Sequence, residues 1–454
     1  YSLYGDFKRI GDRGSYESPY FAKRTLLTQE VLMAWLRHDD SRMNRIGDLI
    51  WNICEESTWV LPAHDKGPDT IDLFSAETGS LLASTLQLLG DRLPKDIQER
   101  IITENRRRII DLYLANGDKY GWREGRNNWT GVCAGSVGEV FLLQEKDPER
   151  LAAAIEMVVA SLKRFIEHGF EEDGGCLEGI SYWNYGLSHL VIFSEMLRNR
   201  TEGAIDLLAD PKINRIATYP LAVYLGNGKY ASFSDAHEIA SVEPSLAARL
   251  GDKTGVKALR DLAGSPVQWN LTRVVRNVLW WDGKGADALT TQTIFLPNSS
   301  LAKLVGDAKG IPIVVAIKGG CNAEPHNHND IGSFIVYADG EVFLCDPGGG
   351  LYSRDYFSAK RYENIFANSY GHSVPRIDGK LQQTGPQFKG AIRLADENTV
   401  ELQFAEAYGL PVLKALTRTV SLKEGNVVLA DRAVFTEASP IFEEAFVTWH
   451  PVEV

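Results

Sequence analysis

Ser333-Phe334-Ile335-Val336-Tyr337-Ala338-Asp339-Gly340-Glu341-Val342-Phe343-Leu344-Cys345-Asp346 reads as a β-hairpin. Asp339-Gly340 supplies the positive backbone angles of a tight two-residue turn, whose twist matches the strands on either side. Further on, 415–422 and 426–435 flank Lys423-Glu424-Gly425 in the same way. Two-residue alternation also predicts strands over 311–317, 391–394 and 400–405.

Upstream the period changes. Between 147 and 168, Leu151, Ile155, Val158, Leu162, Phe165 and Ile166 fall at helical spacing, and Asp147-Pro148 suits a helix start. Residues 80–89 and 94–115 read as a helix pair joined by Gly90-Asp91-Arg92-Leu93, and further helices are predicted over 180–198, 211–224 and 246–262. Helices with short connections imply antiparallel neighbours, as in a bundle or toroid. The character changes near 265–290, and helices followed by strands imply separate α and β parts.

The 454 residues suffice for two or three domains of about 100–200 residues each. No run is apolar for the roughly 20 residues of a membrane span. A net charge of −12 argues against a nucleic-acid partner, although a local basic cleft can sit on an acidic protein. The five cysteines include no CxxC pair, and read as buried small hydrophobes. Residues 1–9 do not read as a signal peptide. The strand-like run 446–454 suggests that more sequence follows.

Four stretches carry candidate chemistry. In Gly125-Arg126-Asn127-Asn128-Trp129-Thr130, before a helix predicted to begin near Gly131, amides and an arginine beside a tryptophan suit a sugar site. A helix cap and a core tryptophan fit equally well. In Asp173-Gly174-Gly175-Cys176-Leu177-Glu178-Gly179-Ile180-Ser181-Tyr182-Trp183-Asn184-Tyr185-Gly186, Tyr182 and Tyr185 lie three apart and can share a helix face. Core aromatics are the alternative.

Glu324-Pro325-His326-Asn327-His328-Asn329-Asp330 gathers two histidines in a chain with nine, and an extended backbone would point both to one side. His-x-His is a frequent metal pair, and a polar loop is the alternative. Asn368-Ser369-Tyr370-Gly371-His372-Ser373-Val374 follows Asp346-Pro347-Gly348-Gly349-Gly350. The hairpin can bring Asp346 near His328, and His372 would complete three ligands.

Together these stretches resemble the heparinase II/III-like polysaccharide lyases, over most of the chain. The most specific elements are the Asn128-Trp129 pair, Glu178-Gly179-Ile180-Ser181-Tyr182-Trp183, His326-Asn327-His328-Asn329-Asp330 with its hairpin, and Gly371-His372-Ser373-Val374. The resemblance implies a multidomain chain, an N-terminal incomplete (α/α) toroid (1–270) followed by a C-terminal antiparallel β-sandwich (271–454). It implies β-elimination on a uronic-acid-containing glycan, leaving a 4,5-unsaturated uronate. Asn128 would neutralise the uronate carboxylate, Tyr182 would be the catalytic phenol with Tyr185 the alternative, and His326 the active-site histidine. Arg126, Asn127, Trp129, Glu178, Trp183, Tyr185 and Arg361 are expected at the substrate. Several members of the family place histidine where Asn128 stands. The asparagine would leave Tyr182 as both base and acid.

His328, Asp346 and His372 would hold a structural Zn2+ or another divalent metal. The partner would be an acidic polysaccharide or oligosaccharide, glycosaminoglycan-like or alginate-like, and a homodimer fits lyases of this shape. Action in the periplasm or outside the cell is expected, with a cytoplasmic oligosaccharide lyase as the alternative. Three rival readings stand beside this one. A toroidal glycoside hydrolase would use two carboxyls from among Glu178, Asp173 and Asp235. A non-catalytic glycan-binding protein would bind without turnover, and a zinc hydrolase would use the His328, Asp346, His372 set.

Overall fold

The computed structural model describes residues 2–264, 269–436 and 440–453. Residues 265–268, where the change of character is expected to begin, lie outside the described residues, as do 437–439 and the two terminal residues. The helices are α1 (Ser2–Ile10), α2 (Gly14–Arg37), α3 (Met43–Cys54), α4 (Leu73–Leu89), α5 (Lys95–Asn105), α6 (Asp111–Asn116), α7 (Asn128–Gln144), α8 (Pro148–His168), α9 (Ile180–Arg200), α10 (Lys212–Val223), α11 (Pro244–Thr254) and α12 (Leu271–Trp280). A short pair, β1 (Tyr224–Gly226) and β2 (Lys229–Tyr230), interrupts them. Then come β3 (Ile294–Leu296), β4 (Leu301–Ala308), β5 (Ile311–Lys318), β6 (Gly320–Asn322), β7 (Phe334–Ala338) and β8 (Glu341–Leu344). The last strands are β9 (Arg376–Ile377), β10 (Gly385–Asp396), β11 (Thr399–Gln403), β12 (Leu413–Lys423), β13 (Asn426–Phe435) and β14 (Phe442–Glu443). Among the described residues no helix is long and apolar enough to cross a membrane.

The hairpin forms as its sequence predicts. Asp339 and Gly340 take φ of 48° and 81°, and Ala338 pairs with Glu341. Asp147 caps α8, its Oδ1 accepting from the amides of Glu149 and Arg150, each at 3.0 Å. Three expectations are corrected. The helix predicted near Gly131 starts at Asn128, because Asn127 Oδ1 accepts from the Trp129 amide at 3.1 Å. The predicted helix 246–262 divides at Gly255, whose φ of 77° ends α11 before a 3₁₀ turn. Residues 446–453 form no strand; Val447 is held singly, accepting from the Cys345 amide at 2.9 Å and donating to Ser373 Oγ at 3.0 Å.

Two five-stranded antiparallel sheets follow the orders β3-β4-β5-β7-β8 and β13-β12-β11-β10-β6. The first sheet is covered on both faces. Leu301, Val314 and Ala316 join the core beneath the helices, whereas Ala302, Leu304, Val315 and Ile317 pack with Val400, Val420 and Leu422 of the second sheet. Burial on both sides explains why β5 reads as an almost continuous apolar run. The apolar core therefore passes without a break from the helices into the strands.

Helix α7 lies against α4, α8 and α9, and three glycines let α9 approach it closely. A Cβ on Gly131 would fall 2.5 Å from the Gly186 carbonyl oxygen, on Gly135 2.8 Å from the His189 carbonyl oxygen, and on Gly138 inside the Phe193 ring's contact distance. Close approach brings the first turns of the two helices together, so that Gly186 faces Asn128. Gly135→Val should lower stability by about 1–3 kcal/mol through overpacking, measurable by urea unfolding.

Glu139 on the same helix is fully buried, and neither carboxylate oxygen has a hydrogen-bond partner among the described residues. Burial pushes its carboxyl up to about 7, against the opposing charges of Arg276 and His189. The unfolded carboxyl ionises at lower pH. The fold therefore loses stability as pH climbs from the ordinary carboxylate value to about 7, by roughly 3 kcal/mol in all. Glu139→Gln should lose less stability than the parent between about pH 4 and about pH 7 in urea unfolding.

Candidate active site

Tyr182 lies in the first turn of α9, and His326 in a turn that precedes β7. Their rings stack with centroids 4.3 Å apart and planes 29° apart. A phenol from the helical half thus meets an imidazole from the strand half. The backbone at His326 is not extended as the sequence suggests. It takes φ 57°, and the Asn327 amide closes a turn on the Glu324 carbonyl at 3.2 Å.

What brings both histidines together is Asp235, on the loop between β2 and α11. Its Oδ2 meets His326 Nδ1 at 2.7 Å and accepts from Tyr352 OH at 3.1 Å. Its Oδ1 meets His328 Nε2 at 3.0 Å and accepts from Tyr356 OH at 2.6 Å and Arg361 Nη2 at 2.9 Å. Burial opposes its charge, but the hydrogen bonds of His326 and His328 and the Arg361 guanidinium outweigh this and hold the carboxyl well below the usual range. Asp235 engages His326 Nδ1 and so turns its Nε2 toward Glu178 Oε1, 3.5 Å away.

Tyr182 OH also hydrogen-bonds Tyr352 OH. Burial raises the Tyr182 phenol well above its ordinary range. Tyr352 and Arg13 pull it down, while Asp235 and Glu178 push it further up. The phenol is therefore protonated at rest.

Asn128 is buried and bound to Glu178, whose two oxygens accept from the Asn128 amide N and Nδ2, each at 2.8 Å. Burial raises the Glu178 carboxyl above its ordinary range, against His326 and the Asn128 donors. The amide group expected to face a uronate is thus already engaged, and Asn128 Oδ1 is the atom left without a partner among the described residues.

Two grooves adjoin this cluster. One of about 840 Å³ is lined by His64, Lys66, Tyr120, Trp122, Asn127 and Trp129. Another of about 520 Å³ is lined by Arg164, Glu171, Glu178 and Pro325. Arg126 and Glu124 border both. Arg126, Asn127 and Trp129 therefore line open groove surface.

Three predicted substrate contacts lie elsewhere. Trp183 is fully buried and donates Nε1 to the Ile216 carbonyl at 3.0 Å, because its side of α9 faces the core. Tyr185 is half-buried and donates to Glu77 at 3.0 Å within a network that includes His189. Arg361 is spent on Asp235 and on the His326 carbonyl, and stacks over Tyr356 at 4.3 Å. Glu178 borders its groove, but its carboxylate holds Asn128. Asp173 is no partner for it: its Oδ2 takes the amides of Asn298 and Ser299 at 2.7 and 2.9 Å.

Sequence reasoning missed Tyr352, Tyr356, Arg13 and His64, and weighed Asp235 only as a hydrolytic carboxyl. The run Gly348-Gly349-Gly350 two residues before Tyr352 was the available signal. Nothing local marked Arg13 or His64.

His328, Asp346 and His372 converge, with one ligand atom of each lying within 4.8 Å of the others. The chemistry of the set fits a divalent metal. His328 Nδ1 is buried without a partner among the described residues, while its Nε2 meets Asp235. His372 Nε2 meets the Phe366 carbonyl at 3.2 Å, and its Nδ1 faces Asp346 Oδ2 at 2.8 Å. Acceptors on the far nitrogens leave both Nδ1 atoms to face a cation. All three residues are buried, which suits a structural ion better than an open hydrolytic one.

No family model matches the sequence. Triosephosphate isomerase of Corynebacterium diphtheriae is 25% identical over 206 residues, 41% of this chain and 76% of that one. The described strands here pair antiparallel and largely follow the helices, so that partial likeness does not extend to the architecture seen. Solved structures give a fuller match. Heparinase III superposes with a TM-score of 0.66 at 12% identity, over 92% of this chain and 63% of that one. The heparan sulfate lyase of Pedobacter heparinus gives 0.60 at 13%, over 95% and 64%. A chondroitin AC lyase variant from Streptomyces coelicolor gives 0.50 at 11%, over 96% and 66%.

The chain has the fold of the heparinase-like polysaccharide lyases. It spans 63% of the heparinase III chain and 64% of the heparan sulfate lyase.

Asp346→Ala and His372→Ala should each abolish stoichiometric metal, read by elemental analysis. Each should also cost about 3–5 kcal/mol by stranding a buried partner.

Proposed function

We propose that the protein is a polysaccharide lyase that cleaves a uronic-acid-containing glycan by β-elimination. The observation that carries this reading is the stack of Tyr182 on His326, whose imidazole lies 3.5 Å from Glu178 at the edge of a sugar-sized groove. The helical part is read as an incomplete (α/α) toroid over 1–270, and the strands as a β-sandwich over 271–454. The glycan names of the matched structures favour a glycosaminoglycan-like polymer, with an alginate-like one as the alternative. A polymer substrate suits action in the periplasm or outside the cell.

Elimination needs a base at C5–H, an acid at the leaving oxygen, and relief of charge at the carboxylate. The resemblance gives Tyr182 both proton transfers. The raised phenol changes that division: Tyr182 keeps its proton and is the acid. His326, with its Nδ1 engaged by Asp235, offers Nε2 as the base. Because the rings stack, both act from one side of the sugar. After each turnover, a proton taken by His326 returns to solvent while Tyr182 regains one through Tyr352.

Arg126, exposed and without an ion-pair partner among the described residues, supplies charge at the carboxylate beside Asn128. A zinc or similar divalent ion on His328, Asp346 and His372 would neutralise Asp346 and lock the turn carrying His326 to the end of the hairpin.

Tyr182→Phe and His326→Ala should each lower turnover by about 10²–10⁴. The readout is ultraviolet absorbance of the unsaturated product across a panel of uronate polymers. Near-normal turnover in Tyr182→Phe, or products without that absorbance, would refute the assignment.

A further inference from the structure

Helix α1 and the turn behind it cross from one half of the molecule to the other. Tyr4 OH donates to Asp65 Oδ2 at 2.9 Å, on the loop that borders the larger groove. The Arg354 amide donates to the Gly11 carbonyl at 3.2 Å, and Arg354 Nη1 to the Lys8 carbonyl at 3.2 Å. Arg354 belongs to the loop after β8 that also carries Tyr352 and Phe357. Gly11 takes φ 77°, and a Cβ there would lie 3.1 Å from Arg354 Cβ, so the crossing requires glycine.

Arg13 follows directly. Its Nη2 lies 3.4 Å from His64 Nε2, and its guanidinium carbon 5.7 Å from the centre of the Phe357 ring. His64 meets Trp129 edge to face at 4.8 Å, and Phe357 meets Tyr352 at 4.7 Å. Arg13 thus stands between the helical wall, through Trp129, and the strand wall, through Tyr352. Glu17 takes its Nε at 2.6 Å, and Asp72 takes His64 Nδ1 at 2.9 Å. Nη1 of Arg13 makes no hydrogen bond among the described residues.

We propose that this crossing closes one end of the substrate cleft, so that the enzyme works from a chain end, with Arg13 binding the negative charge of the terminal sugar. The inference rests on the lyase reading above. A polymer cannot continue through a backbone crossing that joins both walls. A guanidinium at a closed end is partly shielded from water, where its hydrogen bonds to a carboxylate or sulfate are strongest. The crossing is also lightly anchored, since α1 buries no residue, and loosening it leaves the core intact.

The test sizes the earliest unsaturated products from heparan sulfate, hyaluronan and alginate by gel filtration with ultraviolet detection. The parent should release one short product from the start, while solution viscosity falls slowly. Asp65→Ala combined with Arg354→Ala should open the end and yield longer oligosaccharides. Arg13→Ala should raise KM for short oligosaccharides about tenfold with kcat changed less, and Arg13→Lys should recover part of this. A ladder of intermediate sizes from the parent at the outset overturns the inference but not the lyase reading. So do unchanged product sizes in the double variant. No unsaturated product from any polymer or oligosaccharide overturns both.

Discussion

One buried carboxylate holds the site together. Asp235 sits on a loop of the helical half and collects donors from His326, His328, Tyr352, Tyr356 and Arg361, all from the strand half. An isolated carboxylate in such a place would be costly, and charge-assisted hydrogen bonds are what keep it ionised. The consequences spread in two directions. Toward the cleft, Asp235 orients the imidazole that stacks on Tyr182. Toward the interior, it satisfies Nε2 of His328 and so leaves Nδ1 for the cluster with Asp346 and His372. The same loop docks on the strand half through Ser232, whose hydroxyl donates to the Asp346 carbonyl at 2.7 Å.

The helical half contributes position. Glycines of α7 bring α9 close enough that Asn128 and Tyr182 begin neighbouring turns of packed helices. Glu178, just ahead of α9, bonds across to the start of α7 and fixes both. Side chains that aim inward from these helices, such as Trp183, serve the packed interior instead. The covered first sheet gives the strand half a rigid base, so that the turn carrying His326 is presented at a set height above the helices.

Much of this was legible in the residues. Asp339-Gly340 predicted its hairpin because few other pairs accept two positive φ values, and Asp147-Pro148 predicted the start of α8. The approach of Asp346 to His328 followed from hairpin geometry. Reading His326 and His328 as neighbours on an extended strand reached a correct meeting by a wrong route: the backbone turns at His326, and a distant carboxylate gathers the rings. Trp183 looked like a sugar platform because aromatic residues in a core and in a cleft are indistinguishable by spacing.

By itself the sequence determined the order of helices and strands, the hairpins and most helix starts. It also marked the short stretches where Tyr182, His326 and the His328, Asp346, His372 set reside. These depend on local backbone preference and on contacts close along the chain. Only the tertiary structure decided that Asp235, Tyr352, Arg13 and His64 belong with them, that Asn128 is committed to Glu178, and which aromatics are buried. Those outcomes depend on contacts between residues far apart in sequence, through hydrogen bonds and burial that no local pattern encodes.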